Sequence, residues 1–459
     1  MGMLIAWHPW DSAAFARAAA ERKPVLLSIA AAWCGACHEM DRTTYADPEV
    51  AAIVQERFVP VRVDADRRPD INDRYNLGGW PTTAFLTPAG GLITGGTFVA
   101  AEAMPAVLTR VADEFGSIDA SETTASAPPG VAAASAARTA DAADEDAQLI
   151  DAIFSSFDER HGGFGIEPKF PHTPPLHLAI ALFRDTGDPH WQRIVERTLD
   201  AMADGPLWDR EDGGFFRYAT ARDWQLPHRE KLLETNAALL RVWAESAVTF
   251  GRTIDRDRCA SIARFITSSL RAEGGGYVGS AGDTVLYTDG NASAAAALLA
   301  AATVLGDDGL GREALASFER VLLLCYRPGL GLAHYYDGAA RVRGLLVDYV
   351  AAVGALLDAH DASGGEPYRM MAEELCHVMI RDLWDGAGGG FFDRAVTPDD
   401  VGLLRLLRKP LANAEAAIAL DRAGFREQAL GALQASRRQL DGQGPLAAQY
   451  ALARRQLIN

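Results

Sequence analysis

Apolar positions follow two rhythms along the chain. Up to residue 116, short continuous apolar runs alternate with amphipathic stretches. Val25-Leu26-Leu27-Ser28-Ile29 and Phe58-Val59-Pro60-Val61-Arg62-Val63 read as buried strands. Asp11 and Ser12 cap a helix running to Arg22, and another helix follows Cys34. Thr82 to Leu86 and Leu92 to Phe98, joined by Pro88-Ala89-Gly90-Gly91, form a hairpin, and Glu102 to Phe115 closes with a helix. Strand, helix, strand, hairpin, helix predicts an α/β sandwich with Cys34 and Cys37 at the carboxyl end of a strand.

Residues 117–146 are Ala, Ser, Thr and Asp around Pro128-Pro129-Gly130, with almost no large apolar side chain, and are expected to form a flexible linker. The domains are therefore expected at 1–116 and 147–459. In the second, glycine-rich turns recur at Gly162-Gly163-Phe164, Gly213-Gly214-Phe215, Gly274-Gly275-Gly276-Tyr277, Gly329-Leu330-Gly331, Gly388-Gly389-Gly390-Phe391 and Gly442-Gln443-Gly444. Between them the helical period predicts pairs at 175–185 and 189–202, 230–250 and 254–272, 291–305 and 311–325, 346–362 and 366–383, and 412–423 and 425–440. One helix, about 143–160, precedes the first turn and one, about 445–456, follows the last. Leu149, Ile150, Ile153 and Phe154 on the first, and Leu446, Tyr450, Leu452 and Leu457 on the last, bury their faces if the two helices pair. That pairing closes an all-α (α/α)6 toroid.

Composition narrows the function. The chain of 459 residues is 49% hydrophobic and 23% charged, as in ordinary globular proteins. Its net charge of -17 opposes phosphate backbones and anionic lipid, so neither nucleic acid nor membrane is expected as a partner. No stretch is apolar for the roughly 18 residues that a membrane helix needs. Met1 to His8 carry no basic region and no apolar run of signal-peptide length, and five cysteines are too few for a disulfide scaffold, so a cytoplasmic location is expected. Cys259, Cys325 and Cys376 lie singly in helical patterns.

Trp33-Cys34-Gly35-Ala36-Cys37 places two thiols one helical turn apart, the first at a helix N-terminus, where free amide groups stabilise a thiolate. Cys34 is the expected nucleophile and Cys37 the resolving thiol. A zinc site would need a second pair, and Cys376-His377 stands far away, so no metal and no cofactor beyond a Cys34–Cys37 disulfide is expected. Together with Gly79-Trp80-Pro81-Thr82 before a strand, this motif resembles the thioredoxin superfamily. The resemblance implies a cis Pro81 facing the disulfide and a client site at Trp33, Trp80, Pro81 and Thr82, with Trp80 giving a main-chain contact. Ser28 stands where thioredoxins carry a buried carboxylate, leaving proton transfer to water, Glu39 or His38.

Longer stretches carry a closer resemblance: Trp7-His8-Pro9-Trp10, Cys37-His38-Glu39-Met40, Tyr45-Ala46-Asp47-Pro48-Glu49-Val50, Gly162-Gly163-Phe164-Gly165, Pro168-Lys169-Phe170-Pro171, Pro227-His228-Arg229-Glu230-Lys231 and Asp348-Tyr349. The chain resembles the YyaL and spermatogenesis-associated family of thioredoxin-domain proteins, which implies a thioredoxin-like domain joined to a six-hairpin glycosidase-like toroid. Gly35-Ala36 departs from that family's His-Trp between the cysteines, and Thr235 stands where an acidic residue is expected before Asn236. The toroid's loops are expected to gather Lys169, Arg217, Tyr218, His228, Glu230, Asp348 and Tyr349 at one mouth. His172, Trp224, Tyr277 and Tyr335 are expected beside them. Three functions compete: a thiol-disulfide oxidoreductase whose toroid binds a client or ligand; a carbohydrate-active enzyme, epimerase or hydrolase, with a regulatory redox domain; and a binding or scaffold protein with a vestigial redox pair. The partner is then a protein thiol or disulfide, or a small carbohydrate-like ligand.

Overall fold

A computed structural model describes residues 4–117, 142–396 and 406–458. These form two compact units, one N-terminal and one helical. Most of the expected linker, residues 118–141, lies outside the described residues; its last five positions, 142–146, are helical rather than linker.

In the N-terminal unit, β1 (Val25–Ala30) is buried at every position, as its continuous apolar run requires of a central strand. β2 (Val59–Asp64) lies parallel on one side of it; β3 (Thr82–Leu86) lies antiparallel on the other, and β4 (Leu92–Gly96) pairs antiparallel with β3. Among the described residues five helices belong to this unit: α1 (Ser12–Glu21), α2 (Gly35–Arg42), α3 (Pro48–Arg57), α4 (Pro69–Tyr75) and α5 (Met104–Ser117). The expected single helix after Cys34 is two, because Asp47 caps a new start with its side chain on the Glu49 and Val50 amides and Pro48 takes the first position. The sequence reading also missed α4, a seven-residue helix opened by Pro69, too short to show a period. The hairpin's second strand ends at Gly96 rather than Phe98.

The second unit contains the twelve expected helices among its described residues. They are α6 (Ala142–Phe154), α7 (Pro174–Thr186), α8 (Pro189–Asp204), α9 (Leu233–Phe250), α10 (Thr253–Ser269), α11 (Thr288–Leu305), α12 (Asp308–Cys325), α13 (Leu346–Ser363), α14 (Glu366–Leu383), α15 (Pro410–Arg422), α16 (Arg426–Arg437) and α17 (Ala448–Ile458). Short strands join them: β5 (Tyr218–Ala219) with β6 (Pro227–His228), and β7 (Leu286–Tyr287), β8 (Tyr326–Arg327) and β10 (Ala340–Arg343), all around β9 (Gly331–Tyr336). Helices α7, α9, α11, α13, α15 and α17 pack in succession, and α17 packs back on α7, so the inner ring is closed. α11 shows why it is inner: Ala and Leu occupy nearly its whole circumference and are buried all round. Outside, α8, α10, α12, α14 and α16 each cover their hairpin partner, while α6 packs on α17 and on the 3-10 turn Gly444–Ala447. Ile153, Leu178, Leu182, Ala447, Ala448 and Ala451 form that seam.

Helix ends differ from expectation where strands intrude. α6 stops at Phe154, not near 160, because Phe157 bridges Phe164 across the Gly162-Gly163 turn; α9 starts at Leu233, not 230, because Leu232 bridges Ser280. No helix among the described residues is long and apolar enough to cross a membrane.

Four of the glycine turns are tied to an inner helix, while the first is held by Thr198 of α8, whose hydroxyl accepts the Gly163 amide at 3.0 Å. Asn236 Oδ1 accepts the Phe215 amide at 2.7 Å and its Nδ2 donates to the Phe215 carbonyl at 3.0 Å. Asn291 does the same for Tyr277, and Asn413 for Phe391. At the fourth turn the Tyr349 hydroxyl accepts the Leu332 amide instead. Gly390 shows the need for glycine here: φ is 78°, and a Cβ would run into Ala435 and the Asn413 side chain.

Candidate redox site and toroid cavity

β1 delivers the chain to Cys34, which is the N-cap of α2. Its Sγ accepts the Cys37 amide at 3.1 Å. The two cysteines are joined as a disulfide with Cα atoms 5.2 Å apart, and 4% and 2% of their surfaces are exposed. On reduction the same amide and the helix N-terminus stabilise a Cys34 thiolate. The Trp80–Pro81 peptide is cis, and the Trp33 and Trp80 rings meet edge to face, 5.6 Å between centroids. Thr82 is buried; its hydroxyl donates to the Gly79 carbonyl at 2.7 Å and accepts the Leu77 amide, so it braces the loop instead of facing a client. Ser28 is buried beside Tyr45, whose phenol burial pushes up against hydrogen bonds to Thr83 and Ser28. Of the proposed proton carriers, Glu39 is paired with Arg42 at 2.6 Å on the surface, and His38 is exposed.

The expected toroid-mouth residues fall in three places. Lys169 is wholly buried, its Nζ donating to Asp158 at 2.7 Å and to the Arg222 carbonyl at 2.8 Å, with the Trp224 ring 5.2 Å away. Burial works to raise the Asp158 carboxyl, but Arg222 and Lys169 outweigh it and hold it well below the usual range. Tyr349 is likewise interior, its phenol pushed up to about 12 by burial. Trp224 and Tyr277 are core residues too. Lys169 and Tyr349 therefore line no mouth: Lys169 ties the loop at Asp158 to the loop at Arg222, and Tyr349 holds the fourth turn to α13. Tyr218 and His228 stack on the β5–β6 ribbon at 4.2 Å, with Phe170 on the other face at 4.6 Å and the Arg217 guanidinium 5.3 Å from the Tyr218 centroid. Glu230 stands 3.8 Å from the His228 Nδ1.

Asp348 is the third place, and it leads to residues that the sequence reading missed. Its Oδ1 lies 2.9 Å from His334 Nδ1, both side chains buried. Burial lifts the Asp348 carboxyl to about 6 despite His334, and Asp289 adds to the lift. Asp289, His334 and Asp348 bring one potential ligand atom each within 4.8 Å of one another. Asp289 in turn raises Glu234, and Glu234 raises Glu415. Burial is the larger cause at both, bringing Glu415 to about 7, while Arg217 draws Glu234 down. Yet both side chains reach solvent. A carboxyl that touches water but has lost bulk solvation lies on a concave wall. Glu234, Asp289 and Asp348 sit in the first turns of α9, α11 and α13, and Glu415 in the second turn of α15, so the starts of these inner helices define that wall. Glu234 stands one position before Thr235, where the acidic residue was expected. The available signal was an acidic residue two positions from each anchoring asparagine: Glu234-Thr235-Asn236, Asp289-Gly290-Asn291 and Asn413-Ala414-Glu415.

Deeper along the inner helices a charge network crosses the ring. Arg241 donates to Asp358 at 2.6 Å and reaches Glu245 and the Ala296 carbonyl; Arg422 pairs with Asp358 at 2.8 Å; His177 lies 3.0 Å from Glu245. Five inner helices contribute. At 1.5 Å per residue Arg241 lies about 10 Å further along α9 than Glu234.

Comparisons with known proteins agree with both units. Residues 3–121 match the Thioredox_DsbH family model, described as a protein of unknown function, DUF255. Spermatogenesis-associated protein 20 of Rattus norvegicus is 30% identical over 297 residues, 59% of this chain and 38% of that protein, so the matched stretch spans well under half of that relative's length. Thioredoxin-1 of Drosophila melanogaster is 32% identical over 68 residues, 15% of this chain and 61% of that protein. A sugar epimerase from a ruminal bacterium superposes with a TM-score of 0.56 at 13% identity, covering 68% of this chain and 98% of that one, which is a likeness of fold. The chain is similar over 59% of its length to spermatogenesis-associated protein 20, and it joins a thioredoxin-like domain to a helical toroid of the fold seen in the sugar epimerase.

Proposed function

We propose that the chain is a thiol-disulfide oxidoreductase acting through Cys34 and Cys37, with the toroid binding a client or ligand. The observation that carries this is Cys34 at the start of α2, its sulfur bonded to Cys37 and receiving the Cys37 amide. In the reduced protein the Cys34 thiolate attacks one sulfur of a client disulfide and the other leaves as thiolate. The Cys37 thiolate then attacks Cys34 Sγ, closing the disulfide and releasing the second client sulfur; two electrons pass from the pair to the client, and an external dithiol reductant restores the pair. The test is reduction of a protein disulfide by the purified chain with dithiothreitol as reductant. Cys34→Ser is expected to abolish it, and Cys37→Ser to accumulate a mixed disulfide through Cys34. Full activity of Cys34→Ser would refute the assignment.

The toroid supports a second reading, a carbohydrate-active site. What favours it is the Glu234–Glu415 pair: two water-touched carboxyls with raised pKa values on one concave wall, suited to proton donation and acceptance on a polyhydroxylated ligand. Thermal-shift screening with mono- and disaccharides tests it, Glu415→Gln being the variant expected to lose any stabilisation seen.

A further inference from the structure

Asp348 carries an oxygen that its surroundings do not satisfy. The side chain is wholly buried; Oδ1 lies 2.9 Å from His334 Nδ1, while Oδ2 has no hydrogen-bond partner among the described residues. A buried carboxylate oxygen without a donor is costly, and folded proteins rarely leave one so. Its charge is poorly compensated as well. Burial raises the carboxyl most; His334 and the Asp289 backbone amide oppose this, and the Asp289 carboxyl adds to it. Among the described residues neither Asp289 nor Asp348 is ion-paired with a lysine or arginine, whereas Asp358, farther along α13, is met by both Arg241 and Arg422.

The fold brings three donors together here. Tyr287 of β7 pairs with Tyr335 of β9, and the Thr288 hydroxyl donates to the Ala333 carbonyl at 2.6 Å, so Asp289, one residue further on, comes beside His334. Asp348 enters from the first turn of α13. One potential ligand atom from each lies within 4.8 Å of the others. The 2.9 Å between His334 Nδ1 and Asp348 Oδ1 is already the separation of two adjacent ligands on an ion about 2.1 Å from each. Asp289, half-buried where the other two are buried, has the room to close the rest. Tyr287 and Tyr335 flank the imidazole, with ring centroids 5.7 and 6.2 Å away, and give the site an apolar side. We propose that Asp289, His334 and Asp348 bind one divalent transition-metal ion, Zn2+ or Mn2+, at the wall of the toroid cavity. Two carboxylates supply the charge for a divalent ion, and the imidazole favours a transition metal over Mg2+ or Ca2+, which take oxygen ligands. The ion replaces the hydrogen-bonded proton between His334 and Asp348, which passes to solvent, and supplies the partner that the Asp348 carboxylate lacks. Three protein ligands leave at least one position for water or a ligand oxygen. The site is separate from the redox pair and does not depend on it.

The experiment uses the full chain, stripped of metal with EDTA and dialysed, with the Cys34–Cys37 disulfide kept oxidised so that those thiols cannot take the ion. Isothermal titration with ZnCl2 and with MnCl2 is expected to give one site per chain with a Kd below about 10 μM for at least one of the two ions. MgCl2 and CaCl2 are expected to bind about tenfold more weakly or less. His334→Ala, Asp348→Asn and Asp289→Ala should each raise the Kd about tenfold or more. Asp289→Ala changes a half-buried position, and its melting temperature without metal should match that of the wild type, so a raised Kd there reports the site and not the fold. Co2+ gives a second reading: a visible absorption band on binding to the wild type that His334→Ala alters or abolishes. A wild type that takes up neither Zn2+ nor Mn2+ at about 1 mM, or an Asp289→Ala variant with unaltered Kd, would overturn the site. Mg2+ or Ca2+ binding as tightly as Zn2+ and Mn2+ would overturn the assignment to a transition metal.

Discussion

Lys169 carries its charge into the interior of the toroid, where Asp158 and the Arg222 carbonyl take its hydrogen bonds and the Trp224 ring covers it. Removing one partner of such a buried pair leaves the other charge short of compensation, and Arg222, half on the surface, replaces only part of it. Lys169→Met is therefore expected to destabilise the toroid by about 3 kcal/mol, measured by urea unfolding, without changing disulfide reduction. Glu234 and Glu415 are the opposite kind of charged residue. They remain open to water, on a wall that withholds full solvation, and belong to the cavity rather than to the packing.

At the scale of elements, the toroid repeats one joint. A glycine turn brings an apolar or aromatic residue under the next inner helix, and an asparagine in that helix's first turn satisfies both backbone groups of the turn residue. The amide and carbonyl of Phe215 are buried with their residue, so losing the asparagine leaves a donor and an acceptor unpaired. Asn236→Ala is expected to lower the free energy of unfolding by about 3 kcal/mol. Asn236→Asp should also be unfavourable, because it keeps the acceptor but loses the donor to the Phe215 carbonyl. Chemical denaturation of the two variants checks this, and a loss below about 0.5 kcal/mol in both would remove the joint's energetic role. The glycine turns are thus packing devices, which is why the aromatic residues in them, Phe164, Phe215, Tyr277 and Phe391, are buried and not offered to a ligand.

For the toroid as a whole, closure makes stability collective. Deleting residues 445–459 removes α17, uncovering the faces of α6, α7 and α15 that pack on it. The deletion is expected to abolish the cooperative thermal transition of the helical unit rather than to shorten one helix, as circular dichroism would show. The network that closes the ring gives a pH signature. Burial raises Glu245, but the charges of His177 and Arg241 prevail and lower it from the ordinary 4.5 to about 2. A carboxyl depressed in the folded state contributes stability in full above its unfolded pKa and loses it as pH falls through the folded value. Stability on the order of 3 kcal/mol is therefore expected to vanish between pH 4.5 and 2, and Glu245→Gln should flatten that part of the profile.

Local patterns were enough to show a thioredoxin-like domain with its paired cysteines and how the elements are ordered. The Cys34–Cys37 spacing, the Gly79-Trp80-Pro81-Thr82 segment and the buried run of β1 are contiguous, and backbone geometry converts contiguous spacing directly into proximity. The helical period and the unmatched faces of the first and last helices likewise disclosed a closed ring, because an apolar face has to be covered whatever covers it. What a charged residue does in that ring was not legible in the same way. Lys169 and Glu234 are equally polar in sequence, and only tertiary packing decides that one is sealed beneath Trp224 while the other stays exposed at the start of α9. α4 escaped notice because its seven residues show no period. Burial and partnership are sums over neighbours distant in sequence, so they belong to the tertiary structure alone.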